Sequence, residues 1–156
     1  MKTEKVCCPE FKPATLDKKT FKWNNKLFVK TKVVSFLHIP LNIGSMMKKT
    51  CGAIEKSKAS NEDFIVLTDE KSLWGSDWYF AVTKKISGFN HVNISGTFLT
   101  KVYEGPYRNI GNWDKDLRKY VNSKGKKVKK VYFFYTTCPK CAKKYGKNYV
   151  VGFAQV

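Results

Sequence analysis

The stretch that decides the fold is residues 96–125, GTFLTKVYEGPYRNIGNWDKDLRKYVNSKG. It begins with a strand-like run, passes through a Gly-Pro loop and ends in a helical pattern. Within it, apolar residues recur at helical spacing and mark one face of a helix. They are Ile110, Trp113, Leu117, Tyr120 and Val121. Gly125 follows the last of these residues and predicts the end of the helix.

An earlier stretch has the same order. Residues 33–57, VVSFLHIPLNIGSMMKKTCGAIEKS, also contain a Phe-Leu pair, a loop proline and an Ile-Gly pair before the helix. Each helical pattern is followed by two strand-like runs, first within residues 63–86 and then at Val131–Tyr135 and Tyr149–Val156. The order strand, helix, strand, strand thus occurs twice. It predicts an α+β fold in which one curved antiparallel sheet carries both helices on one face.

The first 30 residues are interpreted as an irregular segment packed on a domain formed by residues 31–156. Pro9 and Pro13 exclude a regular helix there. In residues 20–32, TFKWNNKLFVKTK, the Asn-Asn-Lys sequence separates two short apolar runs and predicts a small hairpin. The chain has no apolar signal region and no run of membrane-spanning length, so we expect a cytoplasmic protein without a membrane partner.

The charge is strongly positive. Thirty lysines and arginines against 12 acidic residues give a net charge of +18. Only Arg108 and Arg118 are arginines, whereas base recognition favours the guanidinium group. The lysines are spread along the chain, and their densest run, residues 124–130, has the character of a turn. We therefore expect a solvated lysine-rich surface, and binding of nucleic acid or another acidic partner is only a second alternative function.

The loop VYEGPYRNIGNW, residues 102–113, resembles the GyrI-like small-molecule-binding superfamily, whose members often have Gly-Pro-Tyr before the second helix. In this chain the sequence is Gly105-Pro106-Tyr107, and the order of elements over about residues 30–156 also matches. The CCPEF start and the CPKCAKKYGKNYVV end resemble a group of bacterial and archaeal proteins.

The resemblance implies an SHS2-type fold and a stand-alone protein that binds a lipophilic or aromatic small molecule in an aromatic groove. Some stand-alone members are hydrolases, so a hydrolase or detoxifying enzyme on the same scaffold is the alternative function. Many members carry a glutamate near the end of the last strand, where this chain has Gln155. An amide cannot act as a general base.

An aromatic-rich run, SLWGSDWYFAV at residues 72–82, is the main candidate for the groove. Alternation places Trp78 and Phe80 on one strand face and Tyr79 on the other, and one of these faces should line the groove. The predicted ligand-binding residues are Trp74, Trp78, Tyr79, Phe80, Glu104, Tyr107 and Tyr135. If the protein is an enzyme, Glu104 and Tyr107 are the predicted catalytic residues, although Glu104 is equally a surface glutamate near a helix start.

The cysteines suggest a metal. The predicted ligands of a structural zinc ion are Cys7, Cys8, Cys138 and Cys141. A C-P-x-C turn between strands has the shape of a zinc knuckle, and zinc would anchor the N-terminal segment. A redox pair and a plain turn with free thiols remain open, although Gly146 would end the following helix too early for a thioredoxin-like site.

The remaining polar candidates have structural interpretations. His38 or His91 could replace one zinc ligand, but both are interpreted as structural histidines. Cys51 is assigned to the core. Three acidic residues in the segment 63–86 are interpreted as turn residues: Asp69, Glu70 and Asp77.

Overall fold

The computed structural model describes residues 12–36, 39–40, 43–60, 65–72, 75–136 and 145–156. The chain divides into a middle unit, Lys22–Gly96, and a terminal unit, which combines Met1–Phe21 with Thr97–Val156. The elements in chain order are β1 (Thr20–Phe36), β2 (Ile39–Pro40), α1 (Ile43–Lys56), β3 (Val66–Ser72), β4 (Gly75–Ala81), β5 (Asn90–Glu104), α2 (Ile110–Ser123), β6 (Lys130–Tyr135) and β7 (Tyr149–Gln155).

In the middle unit, β4 lies between β1 and β3, and all three strands are antiparallel to their neighbours. The pairing of β1 with β4 runs from Phe28 opposite Ala81 to Val34 opposite Gly75. β2 adds two residue pairs at the end of β1. The largest side chains that are essentially inaccessible to solvent in this unit are Phe28, Val29, Val33, Leu67 and Phe80. Their burial supplies the main driving force for folding of the unit.

In the terminal unit, β7 lies between β5 and β6, again with antiparallel pairing. Helix α2 packs on one face of these strands through its apolar side chains. One cluster consists of Leu99, Leu117, Val121 and Ala154. A neighbouring cluster consists of Trp113, Phe133 and Val150. The predicted apolar face of this helix is therefore confirmed.

Helix α2 ends as predicted at Gly125. This glycine has a φ of +72°, in the left-handed region that is accessible to glycine. Its N–H donates to the carbonyl of Asn122 at 3.0 Å, and the N–H of Lys126 donates to the carbonyl of Val121 at 3.3 Å. These two bonds form a Schellman motif, which satisfies carbonyls that the helix end leaves without partners.

The N-terminal part of the chain differs from the expectation. Among the described residues, Pro13–Thr15 forms a short 3₁₀ helix, and β1 already begins at Thr20. The predicted hairpin within residues 20–32 is wrong, since β1 continues through it as one strand. Asn25 takes a φ of +53° within the strand, and its N–H donates to Oγ of Ser95 at 2.8 Å. The backbone of β1 is thus irregular at this asparagine, but the chain does not reverse its direction there.

The segment before β1 is hydrogen-bonded to β5. The N–H of Thr100 donates to the carbonyl of Lys19 at 3.0 Å, and the N–H of Lys19 donates to Oγ1 of Thr100 at 3.1 Å. The N–H of Val102 donates to Oδ1 of Asp17 at 3.0 Å. These bonds satisfy backbone groups along β5 that would otherwise face solvent at a strand edge.

The predicted α+β class is confirmed, with α1, α2 and antiparallel strands among the described residues. The middle unit contains most of β1, β2, α1, β3, β4 and the first residues of β5, and the terminal unit contains the rest of β5, α2, β6 and β7. In the middle unit β4 lies between β1 and β3, and in the terminal unit β7 lies between β5 and β6. That the two units superpose as repeats, and that one curved sheet carries both helices on one face, stays a prediction.

Candidate active site

Two buried aspartates lie opposite each other in the middle unit. Asp69 of β3 and Asp77 of β4 are register partners, and they are 8% and 4% exposed. Directly opposed residues of an antiparallel pair share one face, with Cβ atoms about 4.5–5.5 Å apart. The prediction that Asp69, Glu70 and Asp77 are turn residues is therefore wrong, because all three lie in strands.

The hairpin geometry explains this pairing. Ser72 pairs with Gly75, and a register shift between Glu70 and Ser72 then pairs Glu70 with Ser76 and Asp69 with Asp77. Without this shift Asp69 would face Trp78. Irregularities of this kind often adjoin active sites, because they redirect neighbouring side chains.

Lys30 of β1 contributes a positive charge to the pair. Its Nζ lies 3.8 Å from Oδ2 of Asp77, and the two side chains are 33% and 5% exposed. The same ammonium group lies 6.0 Å from the centroid of the Tyr79 ring. Lys30 and Tyr79 are register partners, so the lysine side chain reaches diagonally along the sheet to Asp77. The negative charge of Asp77 therefore has a cationic neighbour in a position with little solvent.

Both aspartates lie on one side of the middle unit's strands, which we call the carboxylate face. Alternation and register place nine side chains on it: Phe28, Lys30, Lys32, Val34, Leu67, Asp69, Asp77, Tyr79 and Ala81. One row across the three strands reads Lys32, Asp77, Asp69, and the next reads Lys30, Tyr79, Leu67. Lys32 is exposed, whereas Tyr79 and Leu67 are buried.

The predicted aromatic residues divide between the two faces of β4. Tyr79 lies on the carboxylate face, and Trp78 and Phe80 lie on the opposite face. Residues 76–81 are buried without alternation, so these positions show no solvent-open groove face. Trp78 donates its Nε1–H to Oγ of Ser76 at 2.9 Å. Trp74 lies outside the described residues, and ligand binding by the four aromatic residues stays a prediction.

The predicted residues of the terminal unit are not gathered into one site. Glu104 is exposed at the end of β5 and pairs with Tyr149, whereas Tyr135 pairs with Val150. Since Tyr149 and Val150 are neighbours in β7, Glu104 and Tyr135 lie on opposite faces of the sheet. Tyr107 begins the short 3₁₀ helix Tyr107–Asn109 that leads into α2.

The predicted metal ligands fall outside the described residues. They are Cys7, Cys8, Cys138 and Cys141. Among the described ranges, no three His, Cys, Asp or Glu side chains form a group that could hold a metal ion. The zinc site, the redox pair and the plain turn therefore all stay predictions. Next to the second Cys pair, Gly146 has a φ of +71°, which is typical of a residue that ends a helix.

The other candidates have structural surroundings. Nε2 of His91 accepts a hydrogen bond from the N–H of Ile86 at 2.9 Å, which supports its interpretation as a structural histidine. His38 lies outside the described residues. Cys51 is half-buried in α1, and burial raises the pKa of its thiol, which disfavours the reactive thiolate.

A second polar cluster, absent from the sequence predictions, joins α2 to β5 in the terminal unit. Oδ2 of Asp116 accepts hydrogen bonds from Nζ of Lys101 at 2.5 Å and from the hydroxyl of Tyr103 at 2.8 Å. The Tyr103 ring stacks on Trp113, with centroids 5.6 Å apart. The bond from Lys101, followed by that from Tyr103, lowers the pKa of Asp116. Burial, followed by the bond to Asp116, raises the pKa of Tyr103.

The two clusters differ in the exposure of their carboxyl groups and in the contacts that these groups make. Both donors of the second cluster are directed to a single carboxylate oxygen, and 46% of the Asp116 side chain is exposed. That arrangement holds a helix against a strand. The aspartates of the carboxylate face are buried and adjacent. Two neighbouring carboxyl groups beside an ammonium group can accept, hold and return a proton next to a polarised bond.

A family model described as "Bacterial hydrolase" matches residues 1–156, the full length of the chain. The protein therefore belongs to this bacterial hydrolase family. A search of curated proteins found no match. The resemblance to the GyrI-like superfamily stays a prediction.

Within the part of the chain that the structure describes, no helix has both the length and the apolar character needed to cross a bilayer.

Proposed function

We propose that this protein is a hydrolase of small organic molecules in which Asp69 and Asp77 act together as the acid–base pair. The observation that carries the proposal is the register between β3 and β4, which sets two buried carboxyl groups side by side. Directly opposed like charges destabilise a sheet, so a functional role is a physical reason to retain them. Membership of a bacterial hydrolase family supports the same reaction class.

The proposed reaction needs water as its only co-reactant. The carboxylate pair accepts a proton from water while the water oxygen forms a bond to the electrophilic carbon of the substrate. The bond from that carbon to the leaving group then breaks, and the pair returns its proton to the leaving group. The ammonium group of Lys30, 3.8 Å from Asp77, is placed to stabilise negative charge that develops on a substrate oxygen.

Tyr79 and Leu67 occupy the row next to the aspartates, and both are buried on the carboxylate face, so the proposed acid–base pair has apolar neighbours within the protein. This assignment transfers the predicted catalytic role from Glu104 and Tyr107 to the aspartate pair.

The test is hydrolysis of a panel of 4-nitrophenyl esters and glycosides by three proteins. These are the wild type, the double variant Asp69→Asn/Asp77→Asn, and the control Asp114→Asn. Asp114 is an aspartate of α2 that pairs with Arg118 at 2.9 Å. We expect the double variant to lose about 100-fold or more in kcat/KM, the usual contribution of acid–base catalysis. A double variant as active as the control would contradict the proposal.

A second candidate function is binding of an aromatic small molecule without turnover. The buried Trp78, Tyr79 and Phe80 on adjacent positions of β4 favour it. Tryptophan emission during titration with neutral and cationic aromatic compounds tests this function. A change in emission without any product would favour binding over hydrolysis.

A further inference from the structure

We propose that Lys32, together with Lys30, selects substrates that carry a negative charge beside the bond to be hydrolysed. This inference rests on the proposed function of the aspartate pair and adds the class of substrate. A carboxylate is the simplest such charge, so the proposed substrates are half-esters and related monoanions.

The position of Lys32 supports this selection. Lys32 is the register partner of Asp77, so its side chain emerges on the carboxylate face beside the reacting groups. Lys30 lies two residues earlier on β1 and therefore shares that face. Lys32 is exposed and Lys30 is 33% exposed. Both lysines therefore share the face of the two aspartates on β1, the strand next to Asp77, and the Nζ of Lys30 lies 3.8 Å from Oδ2 of Asp77.

The charge around the site supports an anionic substrate as well. Two lysines and two aspartates on the carboxylate face cancel, so the local charge does not exclude an anion. The field of the whole chain then decides which ions accumulate at the site, and its net charge of +18 attracts anions. A cationic substrate would have to approach past the two lysines against that field.

The spacing of the strands limits the distance between the negative charge and the reacting bond. Neighbouring strands lie about 4.8 Å apart. An anionic group bound at Lys32 over β1 therefore places a carbon about 5 Å away over β4, beside Asp77. Three or four covalent bonds span that distance, which matches the separation of carboxylate and ester carbonyl in a half-ester of a short dicarboxylic acid.

The experiment compares mono-4-nitrophenyl glutarate with its methyl ester, in which the carboxylate is neutralised, and subtracts the uncatalysed rate. Three proteins are used: the wild type, Lys32→Gln, and the control Lys22→Gln, which removes an exposed lysine elsewhere on β1. We expect the wild type to prefer the anion about tenfold in kcat/KM, chiefly through KM. Lys32→Gln should lose most of that preference, which should also fall with added salt.

The outcomes separate the inference from the proposed function. Equal rates on the two esters, or an undiminished preference in Lys32→Gln, would overturn the selection by charge while leaving the hydrolase intact. A preference lost equally in Lys22→Gln would also overturn it, because the effect would then belong to the overall charge. Absence of turnover on either ester would overturn the proposed ester hydrolysis and this inference together.

Discussion

At the scale of single residues, the two aspartates of the carboxylate face destabilise the fold through charge repulsion but can take part in proton transfer. Asp69 and Asp77 bring two carboxyl groups together where solvent screens them little. The ammonium group of Lys30 offsets part of their repulsion through its contact with Asp77. Active sites frequently contain like-charged pairs in buried positions.

The aspartate pair could not be identified from residue types alone. Aspartate followed by glutamate, or preceded by serine, is common in turns, and both contexts occur in this chain. The sequence indicated two strands here, but the pairing of Asp69 with Asp77 depends on the register shift between Glu70 and Ser72, which no sequence pattern specified. The burial of the two aspartates results from tertiary packing, which a local sequence pattern does not reveal.

The ion pair of Asp116 leads to a prediction about acid stability. Hydrogen bonds from Lys101 and Tyr103 lower the pKa of Asp116 below its ordinary value of 3.8. Its contribution to stability is therefore present above pH 3.8 and is lost as the pH falls through the lower pKa of the folded state. Because 46% of this side chain is exposed, we expect a small effect, up to about 1 kcal/mol.

Urea unfolding of the wild type and Asp116→Asn at pH 7 and at pH 3 measures this contribution. The variant should be less stable at pH 7, and the difference should shrink at pH 3. The control is Asp114→Asn, whose carboxylate pairs with Arg118 on the surface of the same helix. An Asp116→Asn deficit that stays constant over this range would show that the ion pair does not cause it.

At the scale of elements, helix α2 was predictable because three independent signals agree. Its apolar spacing, the preceding Gly-Pro loop and the terminal Gly125 all specify the same segment. Strand β1 was less predictable, because Asn24 and Asn25 resemble a hairpin turn. The hydrogen bond from Asn25 to Ser95, 70 positions away in the sequence, accompanies the continuation of the strand.

The contact of α2 with β7 gives a prediction about packing. A Cβ atom at Gly152 would lie 2.7 Å from Cδ2 of Leu117, a side chain with no solvent exposure. Gly152→Ala should therefore push the helix or its leucine away and destabilise the protein by about 1–3 kcal/mol. Thermal unfolding measures the change, which corresponds to roughly 2–4 °C for each kcal/mol in a chain of this size.

The matched control is Gly52→Ala in α1. A Cβ atom there has nothing within 4 Å, and the residue is exposed within a helix. Alanine should raise stability at this position by about 0.5–1 kcal/mol, because glycine weakens a helix interior. Opposite signs for the two glycines support the packing argument, and a neutral Gly152→Ala would refute it.

At the scale of the whole molecule, composition indicated a folded globular protein and the order of strand and helix patterns predicted its α+β class, but neither identified its reaction. The order of elements along the chain follows from hydrophobic periodicity, which is visible in the sequence itself. The carboxylate face depends on strand register, and a shift of one residue between β3 and β4 would place the two aspartates on opposite sides of the sheet. The residues of the proposed reaction could therefore be grouped only after the strand pairing was known.

The zinc prediction also belongs to the whole molecule, because its ligands come from both ends of the chain. We expect about one equivalent of zinc in protein purified without chelator, held by the thiolates of Cys7, Cys8, Cys138 and Cys141. Cys138→Ser/Cys141→Ser should lose the metal and expose the N-terminal segment to protease. Cys51→Ser, the control, should retain both. Wild-type protein free of metal would refute the site.

A double-mutant cycle measures most directly whether Asp69 and Asp77 act as one catalytic unit. The cycle compares kcat/KM for the wild type, Asp69→Asn, Asp77→Asn and the double variant on one hydrolysed substrate. Because the two carboxyl groups share one proton-transfer task, we predict that each single variant loses nearly as much activity as the double variant. Losses that simply add, or a single variant with wild-type activity, would contradict the account.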